Sequence, residues 1–502
     1  MLFNSFEFML FLPVVFLLYW FVARSRRWQN LLIVVASYVF YGWWDWRFLL
    51  LIVCTSACSF ASGLLIERNE GQRRLQRAVS ATNIVVNLSV LGVFKYYNFF
   101  AENLAGLLQI MGWSLDWATV NIILPVGISF YTFQALSYSI DVYQRKLRAT
   151  HDVVEFFAYI SFFPQLVAGP IERATNLLPQ FQRERSFDYA RAVDGMRQML
   201  WGLLKKLVVA DNCAMVVNEY WDSYASLPGA GLFIVGVLFT LQIYCDFSGY
   251  SDIAIGCARL FGFSLMRNFH FPYFSRSVPE FWRRWHISLM TWFRDYIYFP
   301  LGGSRCGRWK TVRNVFVVWA VSGLWHGANW TFVVWGLYHA VILSVYNLLG
   351  ITTNLHSSQR DACVAHRSKN PQTSNLKSQI SNLLQMGFTF FLVVIGWIIF
   401  RAENIGQAVD YICSMFTNSP FGPGWLIGKK CLLYGSLLLL VEWLQRDREH
   451  ALQLSPSGLA DGDVRTPKLL RYAAVRYALY MAIVYVLLVY AGEVQTFIYF
   501  QF

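Results

Sequence analysis

The chain has 502 residues, of which 56% are hydrophobic and 14% charged, and its net charge is +13. Soluble globular proteins carry roughly a quarter charged residues, so this composition excludes that class and marks an all-α polytopic membrane protein, read as a single membrane domain over residues 1–502. Cytoplasmic loops of membrane proteins collect Lys and Arg, so the positive balance needs no nucleic acid, and none is expected as a partner.

Phe8 to Ala23 is apolar and is followed by Arg24, Arg26 and Arg27, with Glu7 and no basic residue before it. That is the reverse of a signal peptide, so the run reads as a retained first helix with its N-terminus outside. Leu31 to Trp44 returns outward to a Trp-Trp-Asp45-Trp-Arg turn, and Phe48 to Ile66 comes back to the basic stretch Arg68 to Arg77. Ala78 to Phe100 then runs outward, and Val120 to Val142 inward to Arg145, Lys146 and Arg148.

From His151 to Asn212 the pattern breaks up. Phe156 to Val167 is apolar but too short to span, which suits a re-entrant or interfacial piece. Arg183 to Lys206 is basic and amphipathic, as in a helix lying on the inner surface. Gly229 to Phe247 is a spanning candidate that ends in Tyr244-Cys-Asp246-Phe-Ser-Gly-Tyr-Ser-Asp252. Carboxylates at membrane depth are costly, so Asp246 and Asp252 either face protein or water, or cap a break between helices.

The stretch Asn268 to Ala340 holds the candidate chemistry. Ser277-Val-Pro-Glu-Phe-Trp-Arg-Arg-Trp-His286 opens like a helix: Ser277 and Glu280 have capping-box spacing, Pro279 falls in the first turn, and Trp282 and His286 would share a face. A loop rich in arginine and aromatic residues follows, expected at the cytoplasmic side. From Asn314 to Trp325 there are only 12 residues before His326, about 18 Å of helix against a hydrocarbon core of about 30 Å, so His326 is expected deep in the membrane. Thr331 to Leu349 spans again, and Ile351 to Ser381 (351–381) reads as a polar cytoplasmic insertion. Leu383 to Phe400, Cys431 to Leu444 and Tyr472 to Ala491 are the last spans, an odd total that puts the C-terminus outside as well.

No Walker sequence, HExxH, Ser-centred elbow or Rossmann fingerprint occurs in a credible context. The nine cysteines are scattered, with no CxxC pair or His/Cys cluster at zinc spacing, so neither a disulfide framework nor a metal site is expected. A lone buried histidine is most often a hydrogen-bonded core residue. Two of them flanking a basic, aromatic loop fit chemistry better. A buried neutral imidazole can take a proton from a hydroxyl while that oxygen attacks an activated acyl group, and acyl transfer is the simplest reaction needing that.

The runs Leu124-Pro-Val-Gly-Ile-Ser-Phe-Tyr-Thr-Phe-Gln134, Val167-Ala-Gly-Pro-Ile-Glu-Arg173, Tyr244 to Asp252, Glu280-Phe-Trp-Arg-Arg-Trp-His286, Arg294-Asp-Tyr-Ile-Tyr-Phe-Pro-Leu-Gly-Gly303 and Gly323-Leu-Trp-His-Gly-Ala-Asn-Trp330 resemble the membrane-bound O-acyltransferase family over nearly the whole chain. Within it they are most similar to the branch that O-acetylates alginate-like exopolysaccharides, and less to the branch that transfers D-alanine to teichoic acid. The resemblance implies a ring of transmembrane helices around a thin centre crossed by a tunnel, in the bacterial inner membrane. The acyl donor, a thioester such as acetyl-CoA with no bound cofactor, would enter from the cytoplasm. The acceptor, a polysaccharide hydroxyl, would come from outside, with periplasmic acetyltransferase proteins as partners. The family's essential histidine corresponds to His326 and its second to His286.

Arg283 and Arg284 are candidates for the donor's phosphates, and Trp325, Asn329 and Asp246 complete the candidate binding set. Asn329 either orients the imidazole or caps a broken helix, and Gly323 and Gly327 bracket His326 at a spacing that serves close helix packing. Two rival readings stay open: D-alanyl or other acyl transfer to a teichoic-acid-like acceptor, and a transmembrane acyl-group transporter feeding a periplasmic transferase.

Overall fold

The computed structural model describes residues 1–113, 124–167, 169–350, 376–423, 425–454 and 472–498. Within them every regular element is helical, as unpaired backbone groups in hydrocarbon require, and six helical stretches are long and apolar enough to cross a membrane. The chain is an all-α, multi-pass membrane protein. Its helices group into two compact units, one of Met1–Met215, Leu241–Asn268 and Lys430–Phe502, the other of Val216–Thr240 and Phe269–Lys429.

In the first unit, the expected Trp-Trp-Asp-Trp-Arg turn is present and built by Asp45. Helix Arg26–Asp45 ends there with an extended backbone (φ −160°), and the Asp45 carboxylate accepts from the Arg47 N–H at 2.9 Å before helix Leu49–Arg68 begins. Helix Arg73–Ile110 starts inside the basic stretch and has 38 residues, about 57 Å, so it outruns the hydrocarbon at its ends. The apolar piece after His151 is short, as expected. It forms Val153–Ser161 and Phe163–Leu166, with Phe156, Tyr159 and Phe163 fully buried in protein.

Three expectations are corrected. Of the span placed at Val120 to Val142, residues 120–123 lie outside the described set, and the helix itself is Ile128–Tyr143, only 16 residues and buried on nearly every side. It opens at Gly127, which has φ 75° and approaches the Leu166 carbonyl so closely that a Cβ would lie 2.4 Å from the oxygen, so glycine is required twice over. The second correction concerns Arg183 to Lys206. Helix Tyr189–Leu203 continues as a π-helical stretch Leu204–Ala210, in which Lys205 and Lys206 are buried instead of lying on a surface.

The third correction explains the second. The span expected to end at Phe247 continues: helix Gly229–Leu260 has 32 residues and runs unbroken through Asp246 and Asp252, so of the two open alternatives these carboxylates face protein and neither caps a break. It crosses Tyr189–Leu203 through glycines seven apart on each side: a Cβ on Gly202 would lie 2.6 Å from the Gly249 oxygen, and one on Gly256 2.4 Å from the Gly195 oxygen. That contact lets two lysines reach the carboxylates. Lys206 Nζ sits 2.8 Å from Asp246 and 2.7 Å from Asp211, while Lys205 Nζ sits 2.5 Å from Asp252. A buried carboxylate persists only when paired and hydrogen-bonded. Asp246 meets both conditions, because its second oxygen accepts from the Ile498 N–H at 2.7 Å, which ties down the C-terminal segment.

In the second unit, the long helices are Arg308–His326, Trp330–Leu348 and Leu376–Arg401. The first begins six residues before the expected Asn314, because Gly307 (φ 93°) opens it and its basic first turns are good helix formers. Of the insertion expected at 351–381, residues 351–375 lie outside the described set and the remainder belongs to helix Leu376–Arg401.

Candidate active site

Both candidate histidines lie in the second unit, at the ends of helices. Ser277 caps helix Val278–Arg284, its hydroxyl accepting from the Glu280 N–H at 3.3 Å. The Glu280 carboxylate reaches back to the Arg276 N–H at 2.9 Å, one residue earlier than a capping box would take it. The helix stops at Arg284. Trp285 is extended, and His286 adopts a left-handed conformation (φ 46°, ψ 50°) that opens a second short helix, Ile287–Phe293. His286 therefore does not share a helix face with Trp282, contrary to the expectation from spacing.

A non-glycine residue held left-handed stores backbone strain that only a well-determined surrounding maintains. The surrounding here is tight. His286 is 1% exposed, its Nδ1 lies 3.5 Å from the Ser288 hydroxyl, and its ring centroid is 5.9 Å from that of Trp325.

His326 is the last residue of Arg308–His326 and is buried. Its Nδ1 lies 2.6 Å from the backbone oxygen of Ser322, one turn earlier. A carbonyl oxygen only accepts, so Nδ1 carries the proton and donates it. In the neutral ring the lone pair is then on Nε2, which is the atom able to take a proton from a hydroxyl. Gly327 follows with an extended backbone, and Asn329 caps helix Trp330–Leu348, its Oδ1 accepting from the Thr331 N–H at 3.0 Å. The Asn329 Nδ2 donates to the Glu403 carbonyl at 2.8 Å, so of its two expected roles the geometry draws the cap.

The two helices joined at this turn pack backbone to backbone. A Cβ on Gly323 would lie 2.3 Å from the Phe332 oxygen, and one on Gly336 2.2 Å from the Trp319 oxygen. Rings fill the space beside the turn. The His326 centroid is 4.9 Å from Trp325, 4.8 Å from Trp335 and 5.5 Å from Phe400, the last from helix Leu376–Arg401. Trp325 thus contacts both histidines.

Sequence reasoning missed a third histidine. His339 is buried on Trp330–Leu348, 5.1 Å from Trp335 between ring centroids, and its Nδ1 accepts from the Trp282 Nε1–H at 3.3 Å. The signal was its spacing, since His339 lies four residues after Trp335 and so on the same face. Of the arginines, Arg284 pairs with Glu280 at 2.6 Å within its own helix, and Arg283 is half-buried beside it. Asp246 belongs to the first unit and is engaged there by Lys206. Among the described residues no group of three or more His, Cys, Asp or Glu is placed to hold a metal ion.

A buried imidazole with its lone pair on Nε2 thus sits at a helix end inside a multi-pass helical membrane protein. The family model described as the membrane-bound O-acyltransferase family matches residues 39–366, and the chain belongs to that family. It is 40% identical over 419 residues to a probable alginate O-acetylase, AlgI, of Pseudomonas aeruginosa, covering 83% of this chain and 75% of the relative. A peptidoglycan O-acetyltransferase of Helicobacter pylori is 32% identical over 434 residues, covering 81% of this chain and 77% of the relative. A teichoic acid D-alanyltransferase of Bacillus subtilis is 29% identical over 243 residues, or 45% of this chain and 60% of the relative. The activity is acyl transfer.

Proposed function

We propose that this acyltransferase moves acetyl groups from a cytoplasmic thioester such as acetyl-CoA to hydroxyls of an extracytoplasmic, alginate-like polysaccharide, with His326 as general base. The observation that carries the reading is the bond from His326 Nδ1–H to the Ser322 oxygen, because it leaves Nε2 as the basic atom. The acceptor hydroxyl gives its proton to Nε2 as its oxygen attacks the acyl carbon. The imidazolium then returns the proton to the departing thiolate. His286 is an auxiliary that positions the donor or shuttles a proton, and Arg283 and Arg284 stand at the cytoplasmic mouth for the donor's phosphates. The protein works in the bacterial inner membrane with both termini outside, alongside periplasmic acetyltransferase proteins.

The choice of acceptor is supported by the relatives. The chain covers most of the length of proteins named for alginate and for peptidoglycan O-acetylation, and less of those named for teichoic acid. Mass analysis of the cell's exported glycans, with and without this protein, tests it. Acetyl esters should disappear from an acidic exopolysaccharide when the protein is absent. Unchanged acetylation there, or loss of D-alanyl esters instead, would overturn the choice.

A further inference from the structure

Buried polar groups in folded proteins almost always find partners, so those that do not deserve a reason. The indole N–H groups of Trp335 and Trp397 are buried and meet no acceptor among the described residues. Neither do the hydroxyls of Ser322, one turn before His326, and Thr331, in the first turn of the next helix. Trp282, in the same aromatic cluster, shows the ordinary alternative, since its N–H is spent on His339.

The position of the two indoles gives the reason. Trp335 lies 4.8 Å from His326 between ring centroids, and Trp397 stacks on Trp335 at 6.0 Å with planes 20° apart. They come from different helices, Trp330–Leu348 and Leu376–Arg401, and form one ring stack whose Trp335 end packs against the proposed base. An indole N–H only donates and does not ionise near neutral pH, so it is a fixed dipole. In a site walled by rings a fixed donor interacts strongly with negative charge and needs no reorganisation during reaction.

We propose that Trp335 and Trp397 are catalytic residues whose N–H groups stabilise the oxyanion formed during acyl transfer, a role that rests on His326 acting as the base. As the acceptor oxygen bonds to the thioester carbon and its proton passes to His326 Nε2, the carbonyl π pair moves to the carbonyl oxygen. That oxygen accepts from the two indoles. When the tetrahedral species collapses, the carbonyl re-forms, the C–S bond breaks, and the electron pair leaves with sulfur. His326 gives its proton to that thiolate, so the products are an ester and a free thiol.

The test replaces the Trp335 indole by the isosteric benzothiophene, which puts sulfur in place of N–H and keeps the ring. Full-length protein in vesicles is given acetyl-CoA and a uronate oligosaccharide, and thiol release is followed. We expect kcat to fall roughly a hundredfold or more while the KM for acetyl-CoA and the unfolding temperature stay put, because loss of one oxyanion donor removes stabilisation made only in the transition state. Trp397→Phe should behave in the same direction. A kcat within about twofold of wild type for the benzothiophene protein would overturn the proposal, as twofold is far below the loss of a single oxyanion donor. His326→Ala, run in parallel, separates the two ideas. If it is inactive and the benzothiophene protein is not, the indole role alone fails. If His326→Ala keeps its rate, the base reading fails and the indole role with it.

Discussion

Gly323 packs against Phe332 so closely that a Cβ on the glycine would lie 2.3 Å from the Phe332 carbonyl oxygen. The contact sits three residues before His326, in the turn-joined pair of helices that carries it, so it fixes where the imidazole is held. A methyl group there meets backbone, which cannot swing aside as a side chain would. Gly323→Ala should destabilise the protein by about 1–3 kcal/mol, the usual cost of overpacking, and lower acyl transfer by displacing His326. Gly92, on a helix of the first unit with open space around it, is the comparison. Gly92→Ala should be neutral or stabilising, since alanine favours helix. Thermal unfolding in detergent checks both.

The buried charges of the first unit predict an asymmetry. Lys206→Met leaves Asp211 and Asp246 without their cation at sites that are almost fully buried, and should cost about 3–5 kcal/mol. Arg47→Met, at an exposed ion pair with Asp45, should change stability little. Unfolding midpoints of the two variants measure the difference. Equal midpoints would mean that water reaches Lys206.

This network also shows how far the sequence can be read. Lys205 and Lys206 belong to a run of basic residues with helical periodicity, which is the pattern of a surface helix. Asp211 is near in sequence, but the other two carboxylate partners, Asp246 and Asp252, lie on a separate helix some forty residues further on, and no local pattern announces such a pairing. For His339 the local spacing to Trp335 is legible, but its partner Trp282, from a separate helix, is not. Local signals did better. The cap at Ser277, the turn at Asp45 and the placing of His326 at the end of a helix are all legible, because each depends on residues within a turn or two. The left-handed backbone of His286 is not, since a histidine there is set by tertiary packing.

His286 offers a way to separate its side chain from its backbone. Asparagine tolerates the left-handed region better than most residues, so His286→Asn should keep the φ 46° turn and leave the protein folded. As an auxiliary, His286 should then leave a measurable residual rate, clearly above that of a His326 variant. His286→Ala should lose both the imidazole and some stability, because alanine at that φ is strained. Initial rates alongside unfolding temperatures check the pair. An inactive but fully stable His286→Asn would make His286 as essential as His326.

The most direct measurement is the initial rate of acyl transfer by His326→Ala, reconstituted in vesicles at the same abundance as wild type. The Nε2 lone pair fixed by the Ser322 bond is then gone while the helix that carries it remains. A general base contributes roughly a hundred- to ten-thousandfold, so the variant should be slower by that factor and unfold at nearly the same temperature. A variant that kept more than about a tenth of the wild-type rate would fall short of that range and make His326 a packing residue.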